Sequence, residues 1–113
     1  MKIYGIANCD TVKKARAWLG AHDKAYEFVD FKKVPPTADL LTRWCDAFGW
    51  EVVLNRRGTT WRTLDPALQA KVKDQKSAIA VMLAKPTAIK RPIVEAGKTS
   101  LIGFDESEYA KKL

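Results

Sequence analysis

Residues 2 to 14 of the chain are Lys2-Ile3-Tyr4-Gly5-Ile6-Ala7-Asn8-Cys9-Asp10-Thr11-Val12-Lys13-Lys14. The apolar, β-favouring residues at the start of this run predict a short buried strand. From Asp10 onward apolar residues recur at spacings of three and four, which predicts a helix over about residues 11–21. The apolar positions of that helix are Val12, Ala15, Trp18 and Leu19. Cys9 is therefore expected where the strand ends and the helix begins.

That position favours a reactive thiolate at Cys9. The first N–H groups of a helix have no partner within it, and the helix dipole adds partial positive charge there. Cysteines in such surroundings have a lowered pKa and react as nucleophiles. Lys13 and Lys14 add cationic charge about one turn further on, while Asp10 opposes it. The alternative interpretation is a buried structural cysteine at the end of a strand.

Two other residues are candidates for partners of Cys9. His22 is the single histidine, and a helix that rises 1.5 Å per residue places it about 20 Å from Cys9. Because this distance is too long for a hydrogen bond to the thiol, a Cys-His nucleophilic pair is excluded. Cys45 falls on an apolar helical stripe and is interpreted as a core residue, with a role as resolving thiol as the alternative. The two cysteines form neither a disulfide framework nor a metal-site pattern, so no metal is expected.

The composition predicts one globular domain over residues 1–113. The chain has 47% hydrophobic residues, no apolar run of membrane-spanning length and no signal-peptide pattern, so we expect a cytoplasmic protein with no membrane partner. Its formal charge of +7 comes from basic residues spread along several elements. Without base-stacking aromatics among them, this charge indicates an anionic small substrate and makes nucleic acid an unlikely partner.

The remaining elements follow from local signals. A second strand is predicted over Tyr26 to Phe31, reached through a helix and therefore parallel to the first. After Pro35-Pro36, Thr37 caps a helix with the apolar stripe Leu40, Leu41, Trp44, Cys45 and Phe48. Asp65-Pro66 opens a helix through Val72, and another runs from about Lys76 to Ala84. A hairpin around Gly97 and a last helix from Glu106 to Leu113 complete an α/β chain of order βαβ, helices, ββα.

Three segments resemble the arsenate reductase/Spx (ArsC-like) family of thioredoxin-like proteins, and most closely its YffB branch. They are Tyr4-Gly5-Ile6 with Asn8-Cys9-Asp10-Thr11-Val12-Lys13-Lys14-Ala15, the loop Asn55-Arg56-Arg57-Gly58-Thr59-Thr60-Trp61, and Lys90-Arg91-Pro92-Ile93-Val94. The resemblance implies a thioredoxin-like fold with a helical insertion over about residues 37–88. It also implies that Cys9 is catalytic and that Pro92 is a cis-proline facing it.

An anionic substrate needs hydrogen-bond donors, and a guanidinium forms bidentate bonds to carboxylates and oxyanions. Arg91, directly before Pro92, is the first candidate. Arg57 is the second, although the alignment leaves open whether Arg57 or Arg56 faces the site. The backbone N–H groups of Asp10 and Thr11, the Asn8 side chain and Lys13 complete the expected anion pocket.

Val12 stands where a Cys-x-x-Cys protein has its second cysteine, so a mixed disulfide on Cys9 must be resolved by an outside thiol. We therefore expect an enzyme, a glutathione-dependent thiol-disulfide reductase with one active-site cysteine. Glutathione is its co-substrate, and other anionic thiols, small disulfides or protein disulfides are the possible substrates. The family implies two alternatives: an arsenate reductase, disfavoured because the hairpin turn offers Lys98 and no arginine, and a Spx-like RNA polymerase-binding regulator without a redox switch.

Overall fold

The computed structural model describes residues 1–113 and divides the chain into two compact units, one formed by Met1–Val34 with Arg91–Leu113 and the other by Pro35–Lys90. The strands are β1 Lys2–Gly5, β2 Glu27–Asp30, β3 Ile93–Ala96 and β4 Thr99–Ile102. The helices are α1 Asp10–Ala21, α2 Ala38–Phe48, α3 Trp50–Val53, α4 Thr59–Arg62, α5 Pro66–Ala70, α6 Gln75–Ala84 and α7 Glu106–Lys112, with a 3-10 turn at Pro86–Ala88.

The first unit is a four-stranded mixed sheet in the order β2-β1-β3-β4. β1 pairs in parallel with β2, where Ile3 lies opposite Phe28, and antiparallel with β3, where Ile3 lies opposite Val94. The antiparallel hairpin β3–β4 turns at Gly97, whose φ of +60° favours glycine. This βαβ and ββα arrangement is the predicted thioredoxin-like fold.

The apolar stripe of α1 and the buried face of the sheet form the core of this unit. Its buried members are Ile3, Ala15, Trp18, Leu19, Val94, Leu101 and Tyr109. The ring of Trp18 meets that of Tyr109 edge-on at 5.5 Å, and the Tyr109 hydroxyl donates to the Gly103 carbonyl at 2.7 Å. This packing fixes α1, and with it the residue that begins the helix, on the sheet.

The second unit contains the predicted helical insertion, with bounds close to the expected 37–88. Thr37 caps α2 and Asp65 caps α5, as predicted. The α2 stripe buries Leu41, Trp44 and Cys45, whereas Leu40 and Phe48 are half-buried. The prediction of one domain over residues 1–113 stays a prediction.

Three element boundaries differ from the sequence interpretation. The helix expected to run through Val72 ends at Ala70, because the chain must turn before Asp74, an extended N-cap that forms a capping box with Ser77. The second strand covers Glu27–Asp30 only, and Phe31 follows it as a buried residue. The last helix ends at Lys112. The longest helix, α1, has 12 residues, which is too short to span a membrane.

Candidate active site

Cys9 is the N-cap residue of α1. Its backbone is extended, with φ −98° and ψ 125°, and its carbonyl accepts the N–H of Lys13 at 2.9 Å. Its own N–H donates to the Ile6 carbonyl at 3.4 Å across the turn that follows β1. The half-buried thiol is thus held at the junction that the sequence predicted.

The surroundings of Cys9 favour the thiolate. Burial of the sulfur is the largest single effect and raises the pKa, but it is outweighed by the Val12 N–H, by the hydrogen bond and charge of Arg91, and by the Thr11 N–H. The net result is a pKa below the ordinary value. The Val12 and Thr11 N–H groups act on the sulfur as weak, incompletely aligned hydrogen-bond donors.

The N–H groups that act on the sulfur differ by one residue from the expected pair. The prediction named Asp10 and Thr11, whereas the structure has Thr11 and Val12. The reason is that an N-cap side chain lies nearest the N–H groups of the second and third helical residues, not the first.

The antiparallel pairing of β1 and β3 brings Arg91 close to Cys9. Because β3 runs antiparallel to β1, the start of β3 lies beside the end of β1, and Arg91 comes two residues before Ile93. The Arg91–Pro92 peptide bond is cis, as the resemblance implied, and the Pro92 carbonyl accepts the Gly103 N–H at 2.8 Å. Arg91 is half-buried and its Nε atom is fully buried, so the guanidinium is more enclosed than an ordinary surface arginine.

The other predicted residues near Cys9 are exposed. Asn8 lies in the turn before Cys9, and Thr11 and Lys13 lie on the first turn of α1. Lys13 is not among the groups that lower the Cys9 pKa, because an exposed ammonium is screened by water, and the acting cation is Arg91. Roles for Asn8, Thr11 and Lys13 in substrate binding stay predictions.

The arginine loop belongs to the second unit. The Arg56 guanidinium lies 5.5 Å from the centroid of the Trp50 ring, a cation–π distance. Arg57 is exposed, and its N–H donates to the Asn55 side chain at 3.2 Å. The contact with Trp50 occupies Arg56, which favours Arg57 as the residue available to a ligand.

The hairpin turn is remote from the cysteine. Tyr4 pairs with Ile93 and Lys2 with Glu95, so the turn at Gly97-Lys98 lies at the end of the sheet where β1 begins. Cys9 follows the opposite end of β1. Lys98 therefore cannot take the role of an oxyanion-binding arginine beside Cys9, because it lies at the opposite end of the sheet as well as lacking the guanidinium group.

Cys45 differs from Cys9 in its burial and in the direction of its pKa shift. It is 3% exposed, and burial, with a smaller effect of Asp46, raises its pKa to about 11. Both cysteines are free thiols.

His22 caps the far end of α1, where its Nδ1 lies 2.8 Å from the Trp18 carbonyl oxygen. No group of three or more His, Cys, Asp or Glu side chains is arranged to hold a metal ion.

The sheet order β2-β1-β3-β4, a cysteine with a lowered pKa at the start of α1 and a cis-proline just before β3 are together typical of a thioredoxin-like fold. The chain belongs to the ArsC family, whose model matches residues 4–112.

Similar proteins agree with this assignment. A solved structure of a protein named YFFB is 50% identical, with a TM-score of 0.95, and the alignment covers 99% of this chain and 97% of that one. An uncharacterized protein of Haemophilus influenzae is 43% identical over 95% of this chain and 93% of its own length. The global transcriptional regulator Spx of Streptococcus mutans is 27% identical over 89% of this chain and 74% of its own length.

Proposed function

We propose that the protein is a glutathione-dependent thiol-disulfide reductase that uses Cys9 as its single nucleophile. The observation that carries the proposal is the combination of a lowered Cys9 pKa with valine at position 12. The lowered pKa raises the thiolate fraction of Cys9 above that of an ordinary cysteine, and the valine leaves no second thiol at the position of a Cys-x-x-Cys pair. Glutathione then serves as co-substrate, with no metal.

The reaction is a pair of thiol–disulfide exchanges. The Cys9 thiolate attacks the glutathione sulfur of a mixed disulfide, the substrate sulfur leaves as a thiolate and takes a proton, and Cys9 becomes bonded to glutathione. A second glutathione, as thiolate, attacks the glutathione sulfur of that adduct and releases Cys9. One substrate disulfide is reduced by two electrons, and two glutathione molecules end as one oxidised glutathione.

Arg91 has two functions in this scheme. Its charge stabilises the Cys9 thiolate before attack, and its planar fork is able to hold a glutathione carboxylate in two parallel hydrogen bonds. We assign the remaining substrate contacts of the first unit to Asn8, Thr11, Lys13 and Pro92, and Arg57 stays a candidate from the sequence. The substrate is a small or protein mixed disulfide.

A second candidate is a protein-binding regulator that does not use the thiol. The similarity to the regulator Spx of Streptococcus mutans favours it. Such a regulator would bind RNA polymerase in a Spx-like way. It would have no redox switch, because Val12 replaces the second cysteine of a Cys-x-x-Cys pair. An arsenate reductase is less favoured, since the hairpin turn places Lys98 away from Cys9.

The two candidates differ in what Cys9 must do. We expect the parent protein to take up one glutathione on Cys9 after exposure to oxidised glutathione, seen by non-reducing mass spectrometry, and to reduce a cysteine–glutathione mixed disulfide with glutathione as reductant. Cys9→Ser removes both activities, whereas the matched Cys45→Ser keeps them. Turnover that survives Cys9→Ser, or a bridge between the two cysteines in place of the adduct, contradicts the proposal.

A further inference from the structure

Gly5, the last residue of β1, leaves no room for a side chain. A Cβ atom built there would lie 2.7 Å from Val12 Cγ2 and 3.5 Å from Val12 Cγ1, and real Cβ contacts essentially never fall below 3.0 Å. Gly5 is not among the glycines with positive φ, so any residue type is able to adopt its backbone conformation. The requirement for glycine at this position is one of space.

Neither partner in this contact is free to move. Gly5 lies opposite Asp30 in the β1–β2 pairing, and its carbonyl accepts the Phe31 N–H at 2.8 Å. Val12 is 0% exposed, and its β-branched side chain has one strongly preferred rotamer in a helix. A side chain at position 5 would therefore displace the first turn of α1 itself.

That turn carries the N–H groups that face Cys9. Val12 is the third residue of α1, and the side chain of an N-cap residue lies near the N–H groups of the second and third helical residues. A shift of a few tenths of an ångström in Val12 changes the geometry of its N–H toward the sulfur, and a hydrogen bond weakens steeply as it loses alignment.

We propose that the contact between Gly5 and Val12 sets the spacing of β1 and the first turn of α1, and so holds the Val12 N–H against the Cys9 sulfur. Gly5 is in this sense a positioning residue for the nucleophile, and the role rests on the proposed function of Cys9. The valine in the place of a second cysteine supplies the packing surface for this contact as well as an N–H.

Three variants test the role of this contact. Gly5→Ala introduces the clash; Gly20→Ala, also in the first unit, is the matched control because nothing lies within 4 Å of its added Cβ. The double variant Gly5→Ala with Val12→Ala removes both Cγ atoms and leaves the nearest Val12 atom, its Cβ, at 3.7 Å, an ordinary contact.

The measurement is the rate of Cys9 alkylation by iodoacetamide as a function of pH, followed by mass mapping. We expect Gly5→Ala to slow the reaction at pH 6 by roughly threefold to tenfold, as for a weakened hydrogen bond to a charged group. The midpoint of its pH profile moves upward while the plateau at high pH does not fall, because a thiolate of higher pKa is at least as nucleophilic; a lowered plateau would instead indicate altered access. Gly20→Ala reacts like the parent, and the double variant returns to it.

Hydrogen exchange of the backbone amides of β1 and β3 reports whether the first unit of each variant is folded, because both strands belong to that unit. A folded Gly5→Ala that reacts like the parent overturns the inference and leaves the proposed function standing. A slowed Gly5→Ala that the double variant does not rescue overturns it too. If Gly5→Ala unfolds, the double variant decides: parent-like alkylation supports the contact, and slow alkylation refutes it. A parent Cys9 no faster than an ordinary thiol refutes the proposed function and this inference together.

Discussion

Removal of the Arg91 guanidinium is expected to slow the reaction of Cys9 more than it weakens the fold. In Arg91→Ala the Cys9 sulfur loses a charge-assisted hydrogen bond and a neighbouring positive charge, both of which lower its pKa. The pKa of Cys9 therefore rises, and at any pH below the parent's midpoint the thiolate population falls.

The magnitude follows from the kind of bond and its exposure. A hydrogen bond to a charged group contributes about 1.5–3 kcal/mol. Because Cys9 and Arg91 are half-buried, water screens the pair and the lower end applies, which is roughly a tenfold loss of alkylation rate at pH 6. Arg91→Lys keeps the charge but loses the planar fork, so we expect only part of the rate to return.

Arg16 provides the matched control. It is a half-buried arginine of the same unit, with its guanidinium 4.1 Å from the centroid of the Phe28 ring and its Nε donating to the Tyr26 hydroxyl at 3.2 Å. Arg16→Ala and Arg91→Ala are both expected to lower the free energy of unfolding by about 1 kcal/mol. Only Arg91→Ala should slow Cys9.

The assay is iodoacetamide alkylation of Cys9 over a pH series, with urea unfolding of each variant measured in parallel. An Arg91→Ala protein that alkylates like the parent but unfolds at much lower urea shows that Arg91 is structural. An equal slowing in Arg16→Ala shows that loosening of the fold, not loss of the adjacent charge, controls the reactivity of Cys9. Either result refutes the reasoning.

Two further predictions concern the buried ionisable groups and the contrast between the thiols. Brief iodoacetamide treatment at pH 7 should label Cys9 and spare Cys45, since a pKa of about 11 leaves roughly one Cys45 in ten thousand as thiolate; equal labelling contradicts this. The free energy of unfolding should fall above about pH 9, because burial raises the pKa of both Cys45 and Tyr109, and the unfolded chain ionises them first. The stabilisation from these two neutral, buried side chains is complete below the ordinary pKa values of cysteine and tyrosine, and it is lost progressively as the pH rises above those values. Urea midpoints between pH 7 and 10.5 measure the effect, and a flat profile in the parent would refute it.

Sequence patterns over a few neighbouring residues predicted much of the fold. The 3.6-residue spacing of apolar positions identified α1 and α2, and the capping residues Thr37 and Asp65 begin α2 and α5 as predicted from the sequence. The placement of Cys9 at the start of α1 came from the same kind of signal. These features depend on residues a few positions apart, whose interactions the sequence displays directly.

The sequence by itself determined the order of the elements, the single thiol at a helix N-terminus and the valine in place of a second cysteine. The tertiary structure decided which charged group acts on that thiol. Lys13 is near Cys9 in sequence but exposed, whereas Arg91 is distant in sequence and lies beside it because β3 runs antiparallel to β1. The 2.7 Å approach of a Cβ at Gly5 to Val12 also exists only once α1 is packed on the sheet. Electrostatic and steric effects act over a few ångströms of space, and strand direction and helix packing decide which residues of the chain come within that range.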